Sequence, residues 1–487
     1  MTRRYDHFFS GREVKPASGR YIDRRSPATG EVVASFAEGT HSDASDAIAA
    51  ARKAFDEGPW PRMTGAERGN IMFRFAELIE RDLERLARIE MEEVGKPIRF
   101  ARADIRGAIG MTRFAAGMAT QIHGETFTNL GPDRVAFVKR EPIGVVGMII
   151  PWNFPADVLA KKLPYAMASG CTCVVKPSEF TSGTALEIAK LAIEAGVPPG
   201  VVNVVTGFGD PVGEVLTTSP DVNLVSFTGS TRVGKRIISN SAETIKPVAL
   251  ELGGKSANIV FADADLDAAI DGVLFGIFLN TGQCCVSGSR LLVQDTIADD
   301  FMARLVQAAK KLKVGDPSDE STDIGTMIHA DHMNKVLGYI RGARDEGADL
   351  RLGGEPLDGG GLYLAPTIFD HVDPKMSIFR EEVFGPVLSA SRFSTMDEAI
   401  ALANDSAYGL ANSVWSSDFN TVMTVSSKVK SGLVWANTTL EVAPQLPFGG
   451  VKASGYGVET GAAGVEEFTV SKTVLMNSGK RANIYSL

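Results

Sequence analysis

From Ile143 onward the chain breaks into short, continuous apolar runs rich in β-branched residues: IGVVGMII at 143–150, CTCVV at 171–175, VVNVV at 201–205 and LVSFTG at 224–229. A strand with one face in water alternates apolar and polar residues, whereas a run that is apolar throughout belongs to a strand covered on both faces. The stretches between these runs have helical length and periodicity, and that alternation calls for a parallel sheet with crossover helices. Residues 143–250 are therefore predicted to form a doubly wound α/β layer, with ligands outside the carboxyl ends of its strands.

Other segments frame this layer. Thr64 followed by Glu67 is a capping-box signature, and Ile71, Phe75, Leu78, Ile79, Leu86 and Ile89 continue at helical spacing until Gly95 and Pro97. One long amphipathic helix is expected there. ETFTNL, GPDR and VAFVKRE (125–141) read as two strands around a Gly-Pro turn, and EEFTVSKTVLMN (466–477) as another strand. These outlying strands pair with another subunit or stand as plain edges.

With 487 residues, 44% hydrophobic, the chain can bury more than one core, and two or three lobes are expected. Its formal charge of −9 is spread over mixed acidic and basic residues, which argues against nucleic acid or anionic membrane as a partner. The start, MTRRYDHFFS, lacks an apolar run, and the longest such run, Ile143–Ile150, is too short to span a bilayer. A cytoplasmic protein is expected. Cys171, Cys173, Cys284 and Cys285 form two tight pairs without metal-type spacing, so reduced thiols and no metal site are expected. His329 and His332 have no acidic or thiol companions and read as a solvated helix face.

Four places have residue types suited to chemistry. In PWNFP (151–155), two prolines fix the chain around Asn153, whose amide can stabilise an oxyanion or cap the next helix. In KPSE, Lys176 ends a strand and Glu179 follows three residues on, a pair suited to ribose hydroxyls or to an exposed ion pair. In FTGSTRVG, Gly229 and Gly234 bracket a strand-to-helix turn whose backbone N–H groups can face a pyrophosphate. Finally, ELGGKS and GQCC separate Glu251 and Cys285, the latter in a loop after the amphipathic run 266–280. A thiolate held at such a loop is a competent nucleophile.

PWNFP, KPSE, FTGST, ELGGKS, GQCC with Arg290, EEVFGPV and PFGGVKASG occur in this order over residues 151–455. Together they resemble the motif series of the NAD(P)-dependent aldehyde dehydrogenase superfamily, and SPATGEVV (26–33) resembles its opening strand pair. The resemblance implies an α/β fold with a Rossmann-type cofactor domain (1–118 and 143–250), an α/β catalytic domain (251–455) and a small β oligomerisation element (119–142 and 456–487). It implies NAD-dependent oxidation of a small-molecule aldehyde, with NADP a poorer alternative, by a homodimer or homotetramer. Cys285 falls on the nucleophile, Glu251 on the general base, and Asn153 on the oxyanion donor, together with the backbone N–H of Cys285. Lys176 and Glu179 would hold the adenosine ribose, Gly229 and Ser230 the pyrophosphate region, and Glu382 and Phe384 the nicotinamide ribose. Trp152, Gly209, Val233, Leu252 and Gly253 fall along the cofactor groove; Phe154 and Phe448 fall on the aldehyde tunnel, with Cys284 beside the nucleophile.

The chemistry needs these residue types independently: thiolate attack creates an oxyanion, hydride loss leaves a thioester, and a base activates water to release the acid. The carboxylate at Glu251 disfavours acyl transfer to CoA, and GQCC has no nearby histidine for a thiol hydrolase. Retention of Asn153, Glu251 and Cys285 together disfavours a binding protein that has lost its chemistry. Lys161 follows Asn153 and Asp157 at four-residue steps and points to a substrate with an anionic or strongly polar far end; alternatively, Asp157 and Lys161 pair with each other. The loop residues Leu440, Glu441 and Val442 lack the aromatic groups a trimethylammonium cation would want.

Overall fold

The computed structural model describes residues 2–481 together with residues 484 and 485. The four apolar runs are strands Val145–Ile149, Thr172–Lys176, Val202–Val204 and Leu224–Thr228, and Val248–Glu251 adds a fifth. All five are parallel and lie side by side in the middle of an eight-stranded sheet. Val145–Ile149 has the later strand Thr172–Lys176 on one side and Leu224–Thr228 on the other. Chain order therefore reverses beside it, which opens a crevice at the carboxyl ends. The short strands His7–Phe9 and Gly455–Tyr456 pair antiparallel with the outer members.

A second, seven-stranded sheet runs Asp349–Leu352, Thr367–Asp370, Val387–Phe393, Arg290–Gln294, Ala257–Val260, Ala411–Trp415 and Leu433–Ala436 in spatial order. It too is parallel except for its first edge. Only residues 252–256 separate the last central strand of the first sheet from Ala257–Val260 of the second. Two glycines here permit a close approach: a Cβ on Gly253 would lie 2.2 Å from the Glu382 carboxylate, and one on Gly254 2.3 Å from the Cys285 carbonyl oxygen.

The outlying strands pair with each other within one chain. Thr469–Asn477 runs antiparallel to Arg134–Pro142 over nine residues, and Glu125–Phe127 completes a three-stranded sheet. Near the N-terminus, Tyr21–Arg25 and Val32–Ala37 form the antiparallel pair around the SPATGEVV turn.

The expected long helix is two helices, Gly65–Arg81 and Leu83–Val94. The capping box at Thr64 and Glu67 is present, but Asp82 leaves helical geometry at φ −98° and ψ 12°. Its carboxylate accepts from Arg81 Nε at 2.8 Å and from Arg85 Nη2 at 2.7 Å, so a short acidic side chain holds a turn the apolar periodicity does not register. Among the described residues, no helix is long and apolar enough to cross a membrane.

Candidate active site

A cavity of about 740 Å³ lies where the two parallel sheets meet, and it is lined from both. Asn153, Phe154, Lys161, Cys284, Cys285 and Phe448 are on its wall. Cys285 follows helix Leu266–Phe278 and a turn at 279–282 in which Asn280 and Thr281 take left-handed φ values of 49° and 59°. Amide groups hold this strained turn. The Gln283 carboxamide accepts from Ile328 N–H at 2.9 Å and donates to the carbonyls of Asn280 at 3.1 Å and Thr326 at 3.2 Å.

Asn153 does not cap the helix that follows it, Pro155–Ser169, whose first position is preceded by Phe154 without a side-chain cap. Its Nδ2 donates to the Gln283 carbonyl at 2.9 Å, while its own carbonyl accepts from Asn280 Nδ2 at 2.9 Å. The loop bearing the thiol and the segment bearing the amide are thus tied in both directions.

Of the four cysteines Cys285 alone is not fully buried. Its hydrogen bond with the Cys284 thiol, then burial, hold its thiol well above the usual range, against the pull of the Lys161 ammonium. Glu251 ends strand Val248–Glu251 behind the cavity wall and is 4% exposed; among the described residues neither carboxylate oxygen has a hydrogen-bond partner. Burial and then the negative charge of Glu459 raise Glu251 well above the usual carboxylate range, opposed by Lys162 and Lys161. Lys162, fully buried, pairs with Glu459 and donates to Ser226 Oγ at 2.9 Å. Neither Lys162 nor Glu459 belongs to a motif singled out from the sequence.

At the other end of the cavity, Trp152, Gly229, Ser230, Leu252, Gly253, Glu382 and Phe384 contribute to the lining, as the motifs imply. Ser230 caps helix Thr231–Ala242 by accepting from Val233 N–H at 3.4 Å, so the open N–H groups of that helix face the crevice. Thr228 Oγ1, beside it, is buried without a hydrogen-bond partner among the described residues. Glu382 accepts from Gly254 N–H at 3.0 Å, and burial raises its carboxyl to about 7.

Lys176, Glu179, Gly209 and Val233 do not line this cavity. Lys176 ends the neighbouring strand Thr172–Lys176 and is 3% exposed; it forms no exposed ion pair, donating instead to the carbonyls of Pro177 and Gly207, both at 2.8 Å. Burial lowers its ammonium to about 8. Lys176 stands at the carboxyl end of its strand in the first sheet, with Glu179 three residues on. An open helix N-terminus, an unpartnered hydroxyl and a strand-end lysine fit a dinucleotide.

The histidine pair is not a solvated face. His329 precedes helix Ala330–Asp345 and accepts from His332 N–H at 3.1 Å. His332 lines the cavity, its Nε2 2.7 Å from the Phe384 carbonyl oxygen and its ring 5.5 Å from that of Trp152. Phe384, held at φ 59°, meets Trp152 edge-on at 5.4 Å. The three-residue histidine spacing was the visible signal, but its partner lies 52 residues away. No group of three or more potential metal ligands occurs among the described residues.

The aldehyde dehydrogenase family model matches residues 14–474. This chain belongs to the aldehyde dehydrogenase family. Aldehyde dehydrogenase family 2 member C4 of Arabidopsis thaliana is 44% identical over 96% of this chain and 94% of its own length. The betaine aldehyde dehydrogenase of Bacillus subtilis is also 44% identical, over 93% of each chain. Among solved structures, the NAD-dependent aldehyde dehydrogenase from Sinorhizobium meliloti superimposes with a TM-score of 0.99 at 50% identity, covering 100% of this chain and 97% of that one. The NAD+ complex of betaine aldehyde dehydrogenase from Staphylococcus aureus gives 0.97 at 40% identity, covering 99% and 97%. The expected α/β, aldehyde-dehydrogenase-like fold is the one these structures share, and the chain is an aldehyde-oxidising enzyme.

Proposed function

We propose that this aldehyde dehydrogenase oxidises its aldehyde with NAD as acceptor through a covalent intermediate on Cys285. NAD, when bound, supplies the hydride acceptor. The Cys285 thiol loses its proton to solvent, and the thiolate attacks the carbonyl carbon, forming a C–S bond and moving the carbonyl electrons onto oxygen. One N–H of Asn153 is engaged by the Gln283 carbonyl; its second N–H and the Cys285 backbone N–H meet the oxyanion. Loss of hydride leaves a thioester. Glu251 turns from behind the wall, takes a proton from water as the water attacks, and the C–S bond breaks to return the thiol and release the carboxylic acid.

The observation that carries this reading is the hydrogen bond from Asn153 to the carbonyl two residues before Cys285, beside the one thiol that is not fully buried. Lys176, Glu179, Gly229, Ser230, Glu382 and Phe384 hold the cofactor, with Trp152, Gly209, Val233, Leu252 and Gly253 along its groove. The eight-stranded sheet, the seven-stranded sheet and the three-stranded sheet of Thr469–Asn477 support a division into cofactor-binding, catalytic and oligomerisation parts, with Gly455–Tyr456 joining the first of them. Exposed Phe127, Val470, Leu475 and Met476 on or beside the three-stranded sheet support a homodimer or homotetramer. Four unpaired cysteines suit the reducing cytoplasm.

The test is NADH formation from a short aldehyde by the parent, Cys285→Ala and Cys284→Ala. Loss of activity in the first variant and measurable turnover in the second are expected. Retained activity in Cys285→Ala, or equal loss in both, would overturn the assignment.

A further inference from the structure

Two unlike sets of residues line the cavity beside Cys285. One is apolar: Cys284, Val286, Trp435 and Phe448 pack as a single cluster with Phe154 and Leu440. The other belongs to helix Ile98–Met118, which presents Gly107 and Gly110, one turn apart, to the cavity. A Cβ on Gly107 would lie 3.5 Å from Asp157 Oδ1, and one on Gly110 3.8 Å from Pro444 Cγ. The slot lined by these aromatic side chains and the glycine backbone suits a flat ring.

The polar groups lining the cavity include an ion pair of buried Lys161 and half-buried Asp157. Lys161 Nζ lies 2.8 Å from Asp157 Oδ2 and 4.4 Å from the Phe448 ring centroid, and both side chains line the cavity. Lys161 makes no other hydrogen bond among the described residues, and Asp157 Oδ1 accepts none. An ammonium has three donors and a carboxylate two acceptor oxygens, so the pair retains at least one of each. The pairing also changes what Lys161 can select. A carboxylate entering beside it would meet Asp157 as well, and a cation would meet Lys161 and Arg106, while Asp104 is already paired with Lys96. A neutral hydroxyl satisfies both partners, donating to Asp157 and accepting from Lys161, with no further charge to desolvate.

We propose that the preferred substrate is an aromatic aldehyde with a neutral hydroxyl on its far side, its ring in the slot and its hydroxyl on the Lys161–Asp157 pair. This rests on the Cys285 chemistry proposed above and replaces the anionic end that Lys161 alone implied.

The parent is assayed with NAD on 4-(hydroxymethyl)benzaldehyde, 4-methylbenzaldehyde, 4-carboxybenzaldehyde, 4-(trimethylammoniomethyl)benzaldehyde and hexanal. The expected kcat/KM is highest for the hydroxymethyl compound, about tenfold or more above its methyl counterpart, as for a site whose buried polar groups are otherwise left unpaired. In the Asp157→Asn/Lys161→Met double variant the hydroxymethyl-to-methyl ratio should fall towards about one, whatever the absolute rate. Preference for the carboxy or trimethylammonio compound, no preference, or an unchanged ratio in the double variant overturns the proposal. Oxidation of hexanal alongside any of these leaves the Cys285 chemistry standing; failure on all five aldehydes removes both.

Discussion

The side-chain amide of Asn153 donates to the main-chain carbonyl of Gln283 at 2.9 Å, so Asn153 is tied to the loop that bears Cys285. Asn280 closes the circuit by donating to the Asn153 carbonyl, and the Gln283 side chain ties the loop to residues 326 and 328. Placement of this kind matters most in the transition state, where a shift of about 1 Å can lower the rate about a hundredfold.

Gln283→Leu removes three hydrogen bonds and leaves buried partners unsatisfied, at about 1–3 kcal/mol for each. Expected are a lower melting temperature and a fall in kcat of about a hundredfold, with the KM for NAD much less affected. Steady-state kinetics of the folded variant decide it: kcat within about twofold of the parent would mean that the network holds the fold and not the reacting groups.

In the proposed reading cofactor choice turns on Glu179, half-buried beyond the end of strand Thr172–Lys176. Its carboxylate accepts from free ribose hydroxyls and repels a 2′-phosphate. NAD should have at least about a tenfold higher kcat/KM than NADP, and Glu179→Ser should shrink that ratio. Arg232, exposed as the second residue of helix Thr231–Ala242, is the nearby positive charge that would oppose this preference. A preference for NADP in the parent would remove Glu179 as the discriminating group.

Both Glu251 and Cys285 are held protonated above their ordinary values, the first by burial and Glu459, the second by Cys284 and burial. The base and the nucleophile each act deprotonated, so activity is absent well below the raised values and gained as pH rises through them. On that limb kcat/KM, which reports attack by Cys285, should climb by about tenfold per pH unit, and kcat, where hydrolysis limits it, should climb likewise with Glu251. A profile that is flat or falling from neutral to alkaline pH would show that neither group titrates in the reacting form.

The parallel sheet was readable from sequence because a strand covered on both faces leaves an unbroken apolar run, and all four such runs of 143–229 are strands. The capping box at Thr64 was readable because it depends on two residues three apart. What escaped depends on distant contacts. The helix break at Asp82 rests on two arginine bonds, His332 gains its place from Phe384, and Trp435 joins Phe448, which the motif series did single out, from a separate segment. Lys161 shows the limit most clearly: its charge is visible in the sequence, but the Asp157 pairing that alters its selectivity is one of two arrangements the spacing allows.

The most direct measurement is rapid-mixing NADH formation by Glu251→Gln with a saturating aldehyde. A glutamine keeps the shape of Glu251 but cannot take a proton from water, so thioester formation should proceed and its hydrolysis should stop. The expected trace is a burst approaching one NADH per active site followed by almost no steady turnover. Steady turnover at the parental rate, or no burst at all, would contradict a thioester on Cys285 that is hydrolysed by Glu251.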